Sequence, residues 1–202
     1  MVNRKAVNDA AGGAPVVVDR KIIDLLLFCR DLCEGTGGQV NAALGGVLAL
    51  WHDAREAGIS DPASAALPDA AALAEAARHT DFSSVIIDEA ASTVQLTDPA
   101  LRLDVGAIAK GYAVEQVCRA APDGLLLSVG GNVRATGPKP GGENWVVGIQ
   151  APGGESGAFL HTLSVRDVSV VTSGDYQRYY TVGGVRYHHI IDPTTCRPAA
   201  YW

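Results

Sequence analysis

The spacing of apolar residues changes once along this chain of 202 residues, close to residue 80. Before that point apolar side chains recur at helical spacing. After it, short runs rich in Val, Ile and Leu are separated by turns that contain glycine. Helices that come early and strands that come late favour an α+β fold over alternating βαβ units. The sequence shows no internal repeat and no low-complexity linker.

The N-terminal part is predicted to hold a loop and three helices. Met1–Pro15 is polar and small, which is typical of a loop, and Val16–Val18 is a short extended run. Asp19 is a predicted helix N-cap, and Gly35 is the predicted end of that helix. The predicted helices are Arg20–Glu34, Gly45–Glu56 and Asp69–His79.

The rest of the chain is predicted to be mostly strands, with one helix over Lys110–Ala120. Glu89–Ser92 and Gly183–Gly184 are predicted hairpin turns. The predicted strands are Val85–Asp88, Thr93–Leu96, Leu101–Asp104, Leu125–Val129, Trp145–Gln150, His161–Val165, Val168–Val171, Tyr176–Thr181 and Arg186–Ile191.

Composition excludes several classes of protein. Hydrophobic residues make up 48% of the chain and charged residues 19%, which excludes a disordered acidic protein. A net charge of −6 without a Lys/Arg cluster argues against nucleic-acid binding. The longest apolar run, Ile22–Cys29, contains Asp24 and is too short to span a membrane, and no signal peptide follows Met1. The four cysteines are too scattered for a disulfide framework and are interpreted as small buried hydrophobic residues.

Three segments carry residues of types that are suited to ligand binding or catalysis. In Leu103–Tyr112 a strand delivers Asp104, a glycine turn follows, and a helix begins whose free N–H groups and Lys110 suit phosphate. In Ser128–Asn132 paired glycines allow the backbone to approach a ligand closely, or simply form a turn. The third segment is rich in hydroxyl, carboxylate and imidazole groups and covers Thr172–Tyr179 and Arg186–Pro193. There His188 and His189 face opposite sides of a strand, so at most one of them enters a given site.

Together and in this order, these segments resemble the ApbE family of flavin transferases. The matching residues are Asp104–Tyr112, Ser128–Asn132, Thr172–Tyr176 and His189–Pro193, and Thr36–Asn41 with Trp51 resembles the family's first flavin-contacting turn. The resemblance implies an ApbE-like α+β fold of antiparallel-rich mixed sheets with helices packed on them. Two departures stand out, because the family's common Ala-Phe-Asp appears here as Gln39-Val40-Asn41, and Cys196 replaces a frequent glycine.

The resemblance implies an enzyme that transfers FMN from FAD to a Thr or Ser hydroxyl of a target flavoprotein and releases AMP. The implied partners are FAD and a flavoprotein subunit of a redox complex, the implied cation is Mg²⁺, and no nucleic acid is expected. Two alternatives remain open, namely an FAD pyrophosphatase that yields FMN and AMP, and a catalytically silent FAD-binding fragment.

The family's functional residues map onto positions of this chain. His189 corresponds to the reacting centre, where an imidazole of ordinary pKa near 6.5 accepts a hydroxyl proton at neutral pH. The backbone carbonyl of Ala107 corresponds to a metal ligand, and a hard cation such as Mg²⁺ prefers oxygen. The implied FAD-contacting residues are Gln39, Val40, Asn41, Asp104, Lys110, Ser173, Gly174, Asp175 and Ile190.

The resemblance also bears on the extent of the chain. Family members have more strands before the position of Asn3-Arg4. After the position of Tyr201-Trp202 they continue into a strand and a helix that supply Asp and Thr metal ligands. We therefore expect residues 1–202 to form a single, partial ApbE-like domain, incomplete at both termini. Family members typically act outside the cytoplasmic membrane and are often tethered to it, which implies an extracytoplasmic location.

Overall fold

A computed structural model describes residues 4–151, 158–176 and 178–200. The chain forms two compact units. The first comprises Met1–Val105 and Arg178–Trp202, and the second comprises Gly106–Gln177. Helices and antiparallel sheets occur together, as the α+β prediction requires. That residues 1–202 form one domain stays a prediction.

The elements are numbered in chain order. The helices are α1 (Arg4–Asp9), α2 (Arg20–Gly35), α3 (Gly45–Ser60), α4 (Ala70–Ala77) and α5 (Ala109–Ala120), with 3₁₀ turns at Pro62–Ser64 and Phe82–Ser84. The strands are β1 (Val16–Val17), β2 (Val85–Asp88), β3 (Thr93–Leu96), β4 (Leu125–Val129), β5 (Asn132–Thr136), β6 (Trp145–Gln150), β7 (Phe159–Val165), β8 (Ser169–Val171), β9 (Tyr179–Val182), β10 (Val185–His188), β11 (Ile191–Asp192) and β12 (Arg197–Pro198).

Two helices of the first unit begin at the predicted aspartates. Asp19 has extended backbone (φ −63°, ψ 145°), and its side chain accepts a hydrogen bond of 2.9 Å from the Lys21 N–H. Asp69 accepts one of 2.8 Å from the Ala72 N–H at the start of α4. Each carboxylate satisfies a backbone donor that a helix start otherwise leaves unpaired, so the Asp19 N-cap prediction is confirmed, and the helix predicted to open at Asp69 has that residue as its N-cap.

The sheets of the first unit are small and antiparallel. One has the order β1–β3–β2, with Val16 opposite Val94. The others are the pairs β9–β10 and β11–β12. Gly183 and Gly184 have φ of 57° and 82°, which a two-residue hairpin with two left-handed positions requires, so the predicted turn is confirmed.

One hydrophobic cluster joins α3 to β9 and β10 within the first unit. The Trp51 ring stacks on Tyr187 with ring centres 6.1 Å apart, and its Nε1–H donates to the Cys196 carbonyl at 2.8 Å. This bond satisfies the indole donor in a buried place, as aromatic side chains with a polar atom need. The buried members of the cluster are Leu44, Val47, Trp51, Leu73, Tyr180 and Cys196.

The second unit combines α5 with a sheet of order β4–β5–β8 and the separate hairpin β6–β7. Its side-chain links include Arg134 on β5, which binds Glu115 of α5 at 3.2 Å and Asp167 at 2.9 Å. These two carboxylates hold Arg134 between the helix and the turn before β8.

Three predictions of local structure were wrong. The predicted N-terminal loop contains α1, a helix too short to be stable alone, which the burial of Val7 holds in place. Leu101–Asp104 is not a strand, since only Arg102 makes a bridge, with Leu44. The last predicted strand, Arg186–Ile191, ends at His188, and Ile191 belongs to the separate strand β11, which pairs with β12.

Strand β5 was not predicted. Gly130-Gly131 form the turn of a hairpin that joins β4 to β5. Gln177, inside the predicted Tyr176–Thr181 strand, lies outside the described residues.

The cysteines behave as small hydrophobic residues. All four are free thiols; Cys29, Cys118 and Cys196 are buried and Cys33 is half-buried. Burial raises the pKa of Cys29 to about 11, so it stays a thiol.

No helix within the described ranges has the combined length and apolar character that a bilayer crossing needs.

Candidate functional site

The turn that carries Gln39 and Val40 is built on glycine and one threonine. Gly37 and Gly38 have φ of 59° and 84°, a backbone region that few other residues adopt without strain. The Thr36 hydroxyl donates to the Leu32 carbonyl at 2.7 Å and accepts from the Val40 N–H at 3.0 Å. The turn is therefore held at its base, and it leaves Gln39 exposed and Val40 half-buried.

Asn41 uses both ends of its side-chain amide on backbone groups. Its Nδ2 donates to the Thr80 carbonyl at 2.8 Å, and its Oδ1 accepts from the Ala43 N–H at 2.8 Å. Asn41 also lines a cleft of about 580 Å³ in the first unit. These bonds brace the turn against the segment after α4, while the predicted FAD contact of Asn41 stays a prediction.

The segment before Asp104 runs alongside the residues that follow Asn41. The Asp104 N–H donates to the Ala42 carbonyl at 2.7 Å, and the Gly45 N–H donates to the Arg102 carbonyl at 3.0 Å. The structure therefore brings two of the predicted FAD-contacting segments together, Gln39–Asn41 and Asp104, although Asn41 and Asp104 lie 63 positions apart in the sequence.

Asn8 of α1 holds the same segment from another side. Its Nδ2 donates to the Leu103 carbonyl at 3.0 Å, and its Oδ1 accepts from the Leu103 N–H at 2.8 Å. The Asn8 side-chain amide thus forms with Leu103 the pair of hydrogen bonds that a neighbouring β-strand would otherwise form. Sequence reasoning missed Asn8, because nothing local to the predicted loop indicates a partner 95 residues away.

His189 follows the end of β10, and its N–H donates to the Arg178 carbonyl at 3.1 Å. Its side chain is exposed but close to other protein atoms. This partial desolvation lowers the pKa of His189 below its ordinary value of 6.5. The positive charges of Arg178 and Arg55 act in the same direction, and a hydrogen bond with the Arg178 backbone opposes them. His189 is therefore neutral at pH 7 and can accept a proton.

His188 differs from its neighbour in that both its ring nitrogens contact backbone groups, one of Ile190 and one of Ala199. His189 lies outside β10, so the expected alternation of the two histidines across one strand does not apply, and that at most one of them enters a site stays a prediction. Ile190, the predicted flavin neighbour, is half-buried beside them.

In the second unit, Lys110 lies at the first turn of α5 and folds over the glycine turn. A Cβ added at Gly130 would be 3.7 Å from Lys110 Nζ. The Gly131 carbonyl accepts from the Thr172 N–H at 2.9 Å, immediately before Ser173. The structure thus brings the motifs of Lys110, of Gly130-Gly131 and of Ser173 together within this unit. The ion pairs described for this unit do not include Lys110.

Asn132 is a residue that sequence reasoning quoted within a motif but did not select. It is only 8% exposed, and its Oδ1 has no hydrogen-bond partner among the described residues. Its amide lies against α5, since a Cβ at Gly111 would be 3.2 Å from Asn132 Nδ2. A buried unpaired acceptor costs about 1–3 kcal/mol, which fits a position where a bound molecule supplies the donor.

The predicted residues Ser173, Gly174 and Asp175 form a connection without regular structure after β8. Ser173 is exposed, and Gly174 and Asp175 are half-buried. A Cβ at Gly174 would lie 2.6 Å from the Tyr176 ring, so the aromatic side chain requires glycine there.

Ala107 lies in the turn before α5, and no backbone N–H of the described residues donates to its carbonyl. An open carbonyl oxygen is a suitable ligand for a hard cation. Within the described ranges, however, no three His, Cys, Asp or Glu side chains cluster closely enough to hold a metal ion. That the Ala107 carbonyl is a ligand of a cation stays a prediction.

Comparison with known proteins places these motifs in a family. Residues 3–202 match the sequence model of the ApbE family. The FAD:protein FMN transferase of Treponema pallidum (strain Nichols) is 41% identical over 211 residues, covering 96% of this chain and 56% of that protein. An FAD:protein FMN transferase of Klebsiella pneumoniae (strain 342) is 33% identical over 196 residues, covering 95% of this chain and 58% of that protein. The chain belongs to the ApbE family.

Solved structures agree with the ApbE-like α+β fold. The crystal structure of the ApbE protein from Thermotoga maritima has a TM-score of 0.82 at 33% identity, over 97% of this chain and 62% of that one. The flavinyl transferase ApbE from Pseudomonas stutzeri has a TM-score of 0.74 at 26% identity, over 97% of this chain and 59% of that one. The predicted fold class is confirmed, and the chain spans a little over half the length of the two transferases compared above.

Proposed function

We propose that this protein transfers FMN from FAD to the hydroxyl of a Thr or Ser side chain in a target flavoprotein. The product is a phosphoester-linked flavin, and AMP is released. Support comes from membership of the ApbE family and from the relatives at 41% and 33% identity, both named FAD:protein FMN transferase.

One structural observation carries the proposal, namely the exposed position of His189, whose pKa partial desolvation lowers below its ordinary value. The acceptor hydroxyl gives its proton to His189 as its oxygen attacks the phosphorus atom that bears the flavin. The bond from that phosphorus to the bridging oxygen breaks, AMP takes the bridging oxygen, and the proton leaves His189 for solvent. A positioned base of this kind contributes roughly 10²–10⁴-fold to the rate.

The remaining roles concern the negative charge of the FAD pyrophosphate. Lys110 and the N–H groups at the start of α5 suit a phosphate group. The Ala107 carbonyl would contribute one ligand to Mg²⁺, and the bound cation would neutralise the phosphate oxygens. The further FAD contacts that we propose, from the family resemblance, are Gln39, Val40, Asn41, Asp104, Ser173, Gly174, Asp175 and Ile190.

The proposed target is a flavoprotein subunit of a redox complex, and the proposed location is outside the cytoplasmic membrane. Both follow from the family resemblance alone. The chemistry itself demands only an accessible Thr or Ser hydroxyl on the target.

The test is incubation of the protein with FAD, Mg²⁺ and a flavoprotein domain, followed by denaturing electrophoresis and detection of flavin fluorescence in the gel. We expect a fluorescent target band with the wild type and a loss of at least about 100-fold in its rate of appearance with His189→Ala. His52→Ala is the matched control, because His52 is 60% exposed on α3, and it should transfer FMN at the wild-type rate.

Three other outcomes of this transfer assay would contradict the proposal, and each would contradict a different part of it. Free FMN and AMP formed without a labelled target would identify hydrolysis, in which water replaces the hydroxyl. FAD binding without any product would identify a catalytically silent FAD-binding protein. Undiminished transfer by the His189→Ala variant would refute the role of His189 as the base.

A further inference from the structure

His188 contacts the backbone through both nitrogens of its ring. Its Nε2 lies 2.9 Å from the Ala199 carbonyl oxygen, which can only accept a hydrogen bond, so Nε2 carries the proton. Its Nδ1 accepts from the Ile190 N–H at 3.3 Å. Both partners are satisfied by one tautomer, with the proton on Nε2 and a free lone pair on Nδ1.

These bonds hold the two peptide groups that flank the Cα of His189. The peptide before it donates through the His189 N–H to the Arg178 carbonyl at 3.1 Å. The peptide after it donates through the Ile190 N–H to the His188 ring. The backbone dihedrals at the Cα of His189 set the direction of its Cα–Cβ bond and limit its side-chain rotamers, so these two bonds constrain the position from which the imidazole projects.

Ala199, the partner of the His188 Nε2, is itself held by a backbone hydrogen bond. The Ala199 N–H donates to the Ile190 carbonyl at 2.9 Å, and Ile191 pairs with Pro198 across β11 and β12. Ala199 is 7% exposed, so its carbonyl depends on the His188 ring rather than on water. The ring of His188 therefore ties the peptide after His189 to Ala199, a buried residue that directly follows the hydrogen-bonded pair of β11 and β12.

We propose that His188 is a positioning residue that orients the imidazole of His189 by holding the Ile190 peptide. The contribution of His188 to the rate of FMN transfer rests on the function proposed above, whereas its hydrogen bond to the Ile190 peptide does not depend on that function. The bond at Nδ1 acts on His189, and the bond at Nε2 anchors the ring that makes it.

Two substitutions separate the two bonds. In His188→Asn the amide oxygen takes the approximate place of Nδ1 and can accept from Ile190, but the donor to Ala199 is lost. In His188→Gln the amide nitrogen takes the approximate place of Nε2 and can donate to Ala199, but the acceptor for Ile190 is lost.

We expect opposite effects of these variants on the transfer assay. His188→Gln should lower kcat by about 10–100-fold with an unchanged KM for FAD, because a displacement of a catalytic group by about 1 Å has effects of this size. His188→Asn should keep kcat within about threefold of the wild type and lower the Tm, since it loses a buried bond. Equal kcat values for the two variants would overturn the proposal.

A second measurement needs no enzymatic activity. Hydrogen exchange of the Ile190 amide, followed by NMR, should be slow in the wild type and in His188→Asn and at least about tenfold faster in His188→Gln. Equal exchange rates in the two variants would refute the positioning role even for a protein that transfers no FMN. A wild type that lacks transfer but shows the expected exchange pattern would refute the proposed function alone.

Discussion

At the scale of single residues, two adjacent histidines have different surroundings and therefore different chemistry. His188 uses both ring nitrogens on backbone groups, whereas His189 is exposed and lies near Arg178 and Arg55. Partial desolvation and these positive charges both disfavour the protonated imidazole, which lowers the pKa of His189 below 6.5. A smaller fraction of His189 is then protonated at any given pH, so the neutral base persists into mildly acidic solution.

The pH dependence of FMN transfer should follow this shift. We expect kcat/KM to keep at least half of its neutral-pH value at pH 6.5 and to fall only below it, because the pKa of His189 lies under its ordinary value of 6.5. Arg55→Gln removes a positive charge that lowers this pKa, so the acidic fall should move to higher pH. The measurement is kcat/KM from about pH 5 to 8.

Arg55→Lys is the matched control, because it keeps the positive charge, and its pH profile should stay close to that of the wild type. The thermal stability of both variants is measured alongside, since the buried Arg55 Nε has no partner within the described ranges and its loss has a packing effect of its own. A profile of Arg55→Gln that coincides with that of Arg55→Lys would contradict the electrostatic explanation.

At the scale of secondary structure, the start of α3 packs directly against the segment that leads to Asp104. The Gly45 N–H donates to the Arg102 carbonyl at 3.0 Å. A Cβ at Gly45 would lie 2.3 Å from the Arg102 carbonyl oxygen, closer than any real contact. Glycine is therefore required by the approach of two backbones and not by a special φ, and this approach places Asp104 beside the turn of Gln39–Asn41.

Gly45→Ala should lower the free energy of unfolding by about 1–3 kcal/mol, because the added methyl group must push two backbone segments apart. Gly46→Ala is the control one residue further along. Its Cβ would meet only Ala76 Cβ at 3.7 Å, and the higher helix propensity of alanine should leave stability unchanged or raise it by up to about 1 kcal/mol. Urea unfolding measures both, and equal stabilities of the two variants would refute the close approach.

Elements whose signals are local could be predicted from the sequence. The Asp19 cap, the Gly183-Gly184 hairpin and the helix over Arg20–Gly35 follow from residues within a few positions of one another. Helix α1 could not be predicted, because its stability comes from Val7 burial and from Asn8, which binds Leu103 at a separation of 95 residues. Likewise motifs sufficed to nominate the candidate site residues, but not the bonds of the His188 ring to Ile190 and Ala199.

At the scale of the whole molecule, the protein and its proposed substrate are both negatively charged. The chain has a net charge of −6, and FAD carries a pyrophosphate. Bulk electrostatics therefore opposes the proposed binding, and the proposal assigns the compensating attraction to oriented N–H groups, the Lys110 ammonium and a divalent cation. The proposed oxygen ligand of that cation is the Ala107 carbonyl, and within the described residues no cluster of His, Cys, Asp or Glu holds a metal alone.

FAD binding should therefore depend on Mg²⁺. We expect at least about tenfold weaker FAD binding in the presence of EDTA, measured by flavin fluorescence, with restoration by excess Mg²⁺. At FAD concentrations of roughly 100 times Kd, binding should stabilise the fold by about 2.7 kcal/mol and raise the Tm accordingly. Binding that is insensitive to metal would favour the catalytically silent FAD-binding alternative.

The α+β class and the family can be inferred from neighbouring residues, because periodicity, caps, glycine turns and motif order are local properties. Which of these residues act on one another depends on the folded chain. Trp51 meets Cys196 at a separation of 145 residues, Asn8 meets Leu103, and the ring of His188 reaches Ala199. The physical reason is that a side chain's hydrogen bonds depend on which backbone groups folding brings within 3 Å of it, and no local pattern encodes that partner.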